Sequence, residues 1–154
     1  MPGKLIRILF FFVLLGIISC DDKPVCTEMA TSYLQAGFYK AVAGEEQDSV
    51  LNNVSVTGLG ASEELMKNEN NVKLLRLPLN FDSHESAFVI TNDSVTDTLY
   101  LSYDTTLSFV SYECGFAPNY DIREVGFTTH GFDSIIIVKS FVEPVDEENL
   151  KIYL

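Results

Sequence analysis

The chain has no tryptophan, only two histidines, and ten basic residues against 22 acidic ones. Each shortage weighs against a class of function. Without tryptophan, a glycan-stacking face has to rely on tyrosine. His84 and His130 stand far apart, each without a nearby cysteine or second histidine. That is not a zinc spacing, and no metal ligand is assigned. A net charge of −12 repels nucleic acid and anionic head groups, so no DNA or RNA partner is expected. There is no Gly-x-Ser-x-Gly, and no Ser/His/Asp order with local support. Gly58-Leu59-Gly60 is too short for a phosphate loop and lacks a lysine. The pairs Glu45-Glu46, Glu63-Glu64 and Glu147-Glu148 fall in polar segments, where exposed acids make poor general acids. Asn92, Asp93 and Asp97 share a loop but lack the alternating carboxylates and central glycine of a calcium site. No catalytic residue and no cofactor is expected.

Long apolar runs are also scarce. The one clear run is Ile8 to Ile18, preceded by Lys4 and Arg7. It is too short to span a bilayer, which takes about 20 residues, and it fits the apolar part of a secretory signal. Ile17-Ile18-Ser19-Cys20 resembles a lipobox. Residues 1–19 are therefore expected to be a lipoprotein signal, removed before Cys20, whose thiol and amine would carry acyl chains. Multiple chains anchor stably where one does not. Residues 20–25 would be a short tether, and 26–154 a single domain. Losing Lys4 and Arg7 leaves eight basic residues and a net charge of −14. With Cys20 acylated, Cys26 and Cys114 remain. An even remainder in an exported protein suggests one disulfide; two free thiols are the alternative.

What is abundant is short alternating apolar text. Leu34, Ala36 and Phe38 share one face of a strand; Leu99, Leu101 and Tyr103 share another. Further strands are expected over 50–56, 74–79, 87–91, 107–112 and 122–128, and at the end through Leu150, Ile152 and Leu154. Ser134 to Val142, with Ile135-Ile136-Ile137-Val138 in a row, reads as one strand buried on both faces. Asp104-Thr105-Thr106 reads as a turn. Residues 61–68, after Ser62 as N-cap, read as one or two helical turns. No long 3.6-residue period, internal repeat or low-complexity tract occurs. Eight or nine short strands predict an all-β fold, an antiparallel immunoglobulin-like β-sandwich, with a β-barrel as the alternative. Tyr100, Tyr112, Tyr120 and Tyr153 are expected at core or half-buried strand positions.

Several stretches carry a resemblance. Cys26, Leu77-Pro78-Leu79 and Asp97-Thr98-Leu99 with Tyr103 lead to Ser111-Tyr112-Glu113-Cys114-Gly115-Phe116. Ile122-Arg123-Glu124-Val125, Asp133-Ser134-Ile135 and Glu148-Asn149-Leu150-Lys151-Ile152-Tyr153 follow. This text resembles the Bacteroidetes lipoprotein family known as domain-of-unknown-function family 6452. The resemblance implies location and fold, and no reaction. In such a host, Asp21-Asp22 behind Cys20 looks like an outer-membrane sorting signal. Asp-Ser/Thr followed by an apolar residue or threonine looks like that group's O-glycosylation sequon. Ser94 and Thr105 are the favoured candidates, as the most polar loops are expected to hold them. The leading expectation is a non-enzymatic, lipid-anchored outer-membrane protein that acts as an interaction or accessory subunit for an envelope protein. The rival is a glycan- or small-ligand-binding lipoprotein.

Overall fold

The computed structural model describes residues 31–112 and 114–154. The signal, Cys20, the tether and Cys26 lie outside the described residues. The described residues form eleven strands in two sheets. They are β1 (Tyr33–Val42), β2 (Glu45–Asp48), β3 (Val54–Gly58), β4 (Glu64–Glu69), β5 (Leu74–Pro78), β6 (Glu85–Asn92), β7 (Val95–Ser111), β8 (Gly115–Phe127), β9 (Ser134–Ile137), β10 (Phe141–Val142) and β11 (Leu150–Tyr153). No described residue is helical.

The first sheet runs β2-β1-β11-β9, with β5 beside β2 along the same flank of β1. β5 covers the first half of β1 and β2 the second, both antiparallel. β11 lies parallel to β1 on the other flank, with Ala36 opposite Leu150 and Phe38 opposite Ile152. The second sheet runs β10-β8-β7-β6-β3-β4, antiparallel throughout. The two inner faces meet in one core. Leu34, Ala36, Phe38, Leu75, Leu77, Leu150 and Ile152 come from the first sheet. Val54, Val56, Ile90, Leu99, Leu101, Tyr103 and Ile122 come from the second. Period-two alternation along β1 and β7 puts these side chains inward. The fold is the all-β sandwich that alternation predicts, with two strands that were not counted: the polar β2 has too little apolar text to be seen, and β4 lies where helical turns are expected.

Three local expectations fail. Residues 61–68 form no helix; β4 occupies Glu64–Glu69 and pairs with β3, Met66 opposite Val56. Sheet pairing and the docking of Met66 on the core outweigh the intrinsic helix preference of Glu-Glu-Leu-Met-Lys. Asp104-Thr105-Thr106 is not a turn, because β7 runs straight through it. Asp104 faces Asp121 across the ladder, and Arg123 bridges both carboxylates at 2.6 and 3.0 Å. That cation relieves the repulsion that would otherwise part the strands there. Finally, Ser134 to Val142 is not one doubly buried strand. β9 is an edge strand of the first sheet, and the chain then crosses to β10 at the edge of the second. A sheet edge has one flank open, so an unbroken apolar run does not guarantee cover on both faces.

Candidate functional site

The most recognisable sequence does structural work. Asn149 is 2% exposed. Its Oδ1 accepts the Gln35 N–H at 3.0 Å, and its Nδ2 donates to the carbonyls of Lys139 and Phe141 at 3.2 Å. Its own N–H donates to Gln35 O. One side chain thus ties β1, β11 and the crossing segment together. Beside it, Tyr39 Oη donates to the Glu148 carboxylate at 2.9 Å. A Cβ at Gly37 would stand 2.1 Å from Glu148 Oε2, so the glycine makes room for that carboxylate. Burial first, then the Glu148 carboxylate, push the Tyr39 hydroxyl up to about 12.

Asp97 is a second buried latch, also 2% exposed. Its Oδ1 accepts the Thr128 hydroxyl at 2.7 Å and the His130 N–H at 2.8 Å. Its Oδ2 accepts the N–H groups of Gly131 and Phe132 at 2.6 and 3.1 Å. Burial raises its pKa, but these donors outweigh burial and hold it below the usual carboxylate range. Both oxygens are committed to the turn before β9, and Asp93 instead meets Asn53 at 3.3 Å. Asn92, Asp93 and Asp97 therefore do not converge on a cation. His130 stands at Asp97, while His84 sits at Tyr103 O, so the two histidines are apart. Among the described residues no group of three His, Cys, Asp or Glu side chains converges.

The remaining expected residues disperse. Ser94 is exposed at the β6–β7 turn, where Asp93 takes φ 53°. Thr105 lies inside β7, not in a loop, and its hydroxyl oxygen is buried. Of the two candidate sugar acceptors, only Ser94 is accessible. Cys114 sits at the β7–β8 turn, its N–H donating to Ser111 Oγ at 3.0 Å; its expected partner, Cys26, is outside the described residues. Tyr120 is buried and Tyr153 half-buried, whereas Tyr112 is almost fully exposed.

Two surfaces are suited to binding. On the outer face of the second sheet, Tyr100 lies in register between Ala87 and Gly126. The next row is Glu85, Ser102 and Glu124. Small residues on both sides of the tyrosine leave an open groove of about 570 Å³. One tyrosine face flanked by carboxylates and hydroxyls can stack on an apolar ring face and accept hydrogen bonds from its hydroxyl groups. Sequence reading named Tyr100 but missed the groove, since only cross-strand register brings Ala87 and Gly126 beside it. The second surface is β9 and the residue after it, where Ile136 and Val138 are 50% and 52% exposed. Ile137 belongs to the core-facing side, opposite Leu150, yet remains 39% exposed. On its outer flank β9 pairs with no strand among the described residues.

The described residues thus form a two-sheet β-sandwich held at its seams by buried polar latches, with the apolar β9 at one of its sheet edges. The chain belongs to the family of unknown function DUF6452, whose model matches residues 41–154. No curated protein and no solved structure matches the chain.

Proposed function

We propose that the protein is a lipid-anchored envelope lipoprotein of the Bacteroidetes type. In this reading it is a non-enzymatic interaction subunit that receives an extended segment of a partner protein along β9. The carrying observation is that edge: a Ser-Ile-Ile-Ile strand whose outer flank pairs with no described strand, and a core-facing Ile137 left part-covered. An added strand would complete the ladder and bury the alternate side chains, which is how sheet edges recruit extended peptides. Signal cleavage before Cys20, acylation of Cys20, outer-membrane sorting by Asp21-Asp22 and a Cys26–Cys114 disulfide complete the reading. Support for them comes from the lipobox-like Ile17-Ile18-Ser19-Cys20 and the cysteine count.

Cross-linking in the native envelope tests it. A reproducible partner is expected with the unaltered chain, and capture is expected to fail with Ile136→Lys/Val138→Lys. Both residues are exposed, so the variant should fold unchanged. Equal capture by the variant would overturn β9 as the site.

The Tyr100 groove favours a second reading, a glycan- or small-ligand-binding lipoprotein. Its size falls within the usual range for small-molecule sites. Tyr100→Ala would then abolish binding in a glycan array. Failure of the unaltered protein to bind any glycan would remove this reading.

A further inference from the structure

β7 leaves its partner β6 after Ser102 and β8 leaves β10 at Tyr120, so beyond the Thr105–Tyr120 pair the β7–β8 hairpin continues as two strands. The apolar alternation does not stop there. Leu107 faces Pro118 and Phe109 faces Phe116 across the ladder. Leu107, Phe109 and Phe116 are 57%, 52% and 63% exposed, and Tyr112 at the turn is 95% exposed. Phe109 packs edge-on against both Tyr112 and Phe116, with centroids 5.3 and 5.6 Å apart. From Thr105 to Asn119 the only charged residue is Glu113, in a chain of net charge −12. The hairpin end is therefore an exposed aromatic cluster almost free of charge on a strongly acidic molecule. A contiguous patch of this kind marks a contact surface.

The start of the described chain indicates the occupant. Ser32 Oγ donates to the Pro118 carbonyl, so the chain enters the fold beside this hairpin. Residues 20–30 lie between the fold and Cys20 inclusive. Fully extended, they reach about 38 Å at most. A lipid on Cys20 would hold the hairpin within that distance of a bilayer.

We propose that the β7–β8 hairpin end seats in the interfacial layer of the membrane that holds the Cys20 lipid, with Phe109, Tyr112 and Phe116 as its contacts. This rests on the anchoring reading above. Aromatic rings favour the interfacial layer, and this hairpin has few charges to desolvate there. The acidic remainder stays in water. Contact with the membrane at both the lipid and the hairpin fixes how the sandwich stands on it.

The absence of tryptophan makes a clean test. Tyr112→Trp places a single indole reporter at the hairpin end. Tyr100→Trp places one about 40 Å along the same strand as a control. Both variants are prepared acylated and unacylated, the acylation checked by intact mass, and mixed with phosphatidylcholine vesicles carrying brominated acyl chains. In the acylated protein, emission from the hairpin reporter is expected to shift to the blue and be quenched by bromine, while the control reporter stays solvent-like. Adding Phe109→Ser/Phe116→Ser to Tyr112→Trp is expected to abolish the quenching and to speed transfer between vesicles at least about tenfold. A hairpin reporter that stays solvent-like with vesicles in both forms overturns the proposal. So does a hairpin reporter already shielded without vesicles, since its occupant is then this chain's own segment, a second copy or a protein. If intact mass shows no acyl chain on protein from its native host, the anchoring reading fails. The unacylated arm then decides the hairpin alone: quenching supports it and no quenching overturns it.

Discussion

The two halves of β7 make an instructive pair. Leu99, Leu101 and Tyr103 alternate along the first half, and Leu107 and Phe109 continue the apolar text along the second. The first set is 0–2% exposed, and the second is more than half exposed. Strand geometry is shared and so is the partner strand β8. What differs is cover: the first sheet lies over the first half, and no described strand of it lies over the second. Alternation states which face is apolar, and only tertiary packing decides whether that face is dry.

The widest gap between the halves should appear in stability. Leu99→Ala removes a fully buried side chain and is expected to cost about 2–5 kcal/mol in denaturant unfolding. Phe109→Ala, a larger truncation in the exposed half, is expected to stay within about 0.5 kcal/mol. Equal losses would mean that the second half is covered in solution.

Asp97, within the covered half, tests how far burial depends on polar latches. Asp97→Asn keeps the shape but turns an NH2 group toward backbone donors, and a loss of about 3 kcal/mol is expected. The pH dependence should change with it. Asp97 is held below its ordinary value when folded, so its stabilisation is complete above about pH 4. It is lost as pH falls through the lower folded value. An acid-unfolding profile should flatten in that window for Asp97→Asn; an unchanged profile would refute the latch.

A smaller effect is expected at Asn149, where an isosteric change keeps part of the seam. Asn149→Asp retains Oδ1 for Gln35 but loses the two donated bonds, at a cost of about 2 kcal/mol by thermal or denaturant unfolding. The smallest effect belongs to the groove on the outer face. A Cβ at Gly126 would make only ordinary contact with Tyr100, at 3.6 Å. Gly126→Ala should therefore leave stability almost unchanged while narrowing the groove. Loss of ligand binding by Gly126→Ala, without loss of fold, would assign the groove its role.

Residues with strict alternation, such as Leu34-Ala36-Phe38 and Leu150-Ile152, could be placed from sequence because both ends of the pattern point to one core. Edges could not. β4 is mostly exposed and carries helix-forming residues, so its identity depends on β3. β9 is apolar enough for a core and sits at a rim, so its exposure depends on its place beyond β11 at the end of the sheet. The surfaces followed the same rule. Tyr100 and Ile136 were in plain view, but the groove and the open edge exist only once register and strand order are fixed. Glu148 and Asn149 stood out in the sequence, and their work proves to be holding the seam.

That seam has a consequence for the order of folding. Gln35 and Asn149, 114 residues apart, bind each other through both main chain and side chain. β11 fills the flank of β1 that no other described strand occupies. A chain synthesised from its amino end must therefore hold β1 incomplete until β11, more than a hundred residues further on, has been made. Closure over so long a loop is slow compared with hairpin formation. The apolar face of β1 thus waits exposed while the hairpins of the six-stranded sheet assemble, and β1 is among the last of the described strands to be finished.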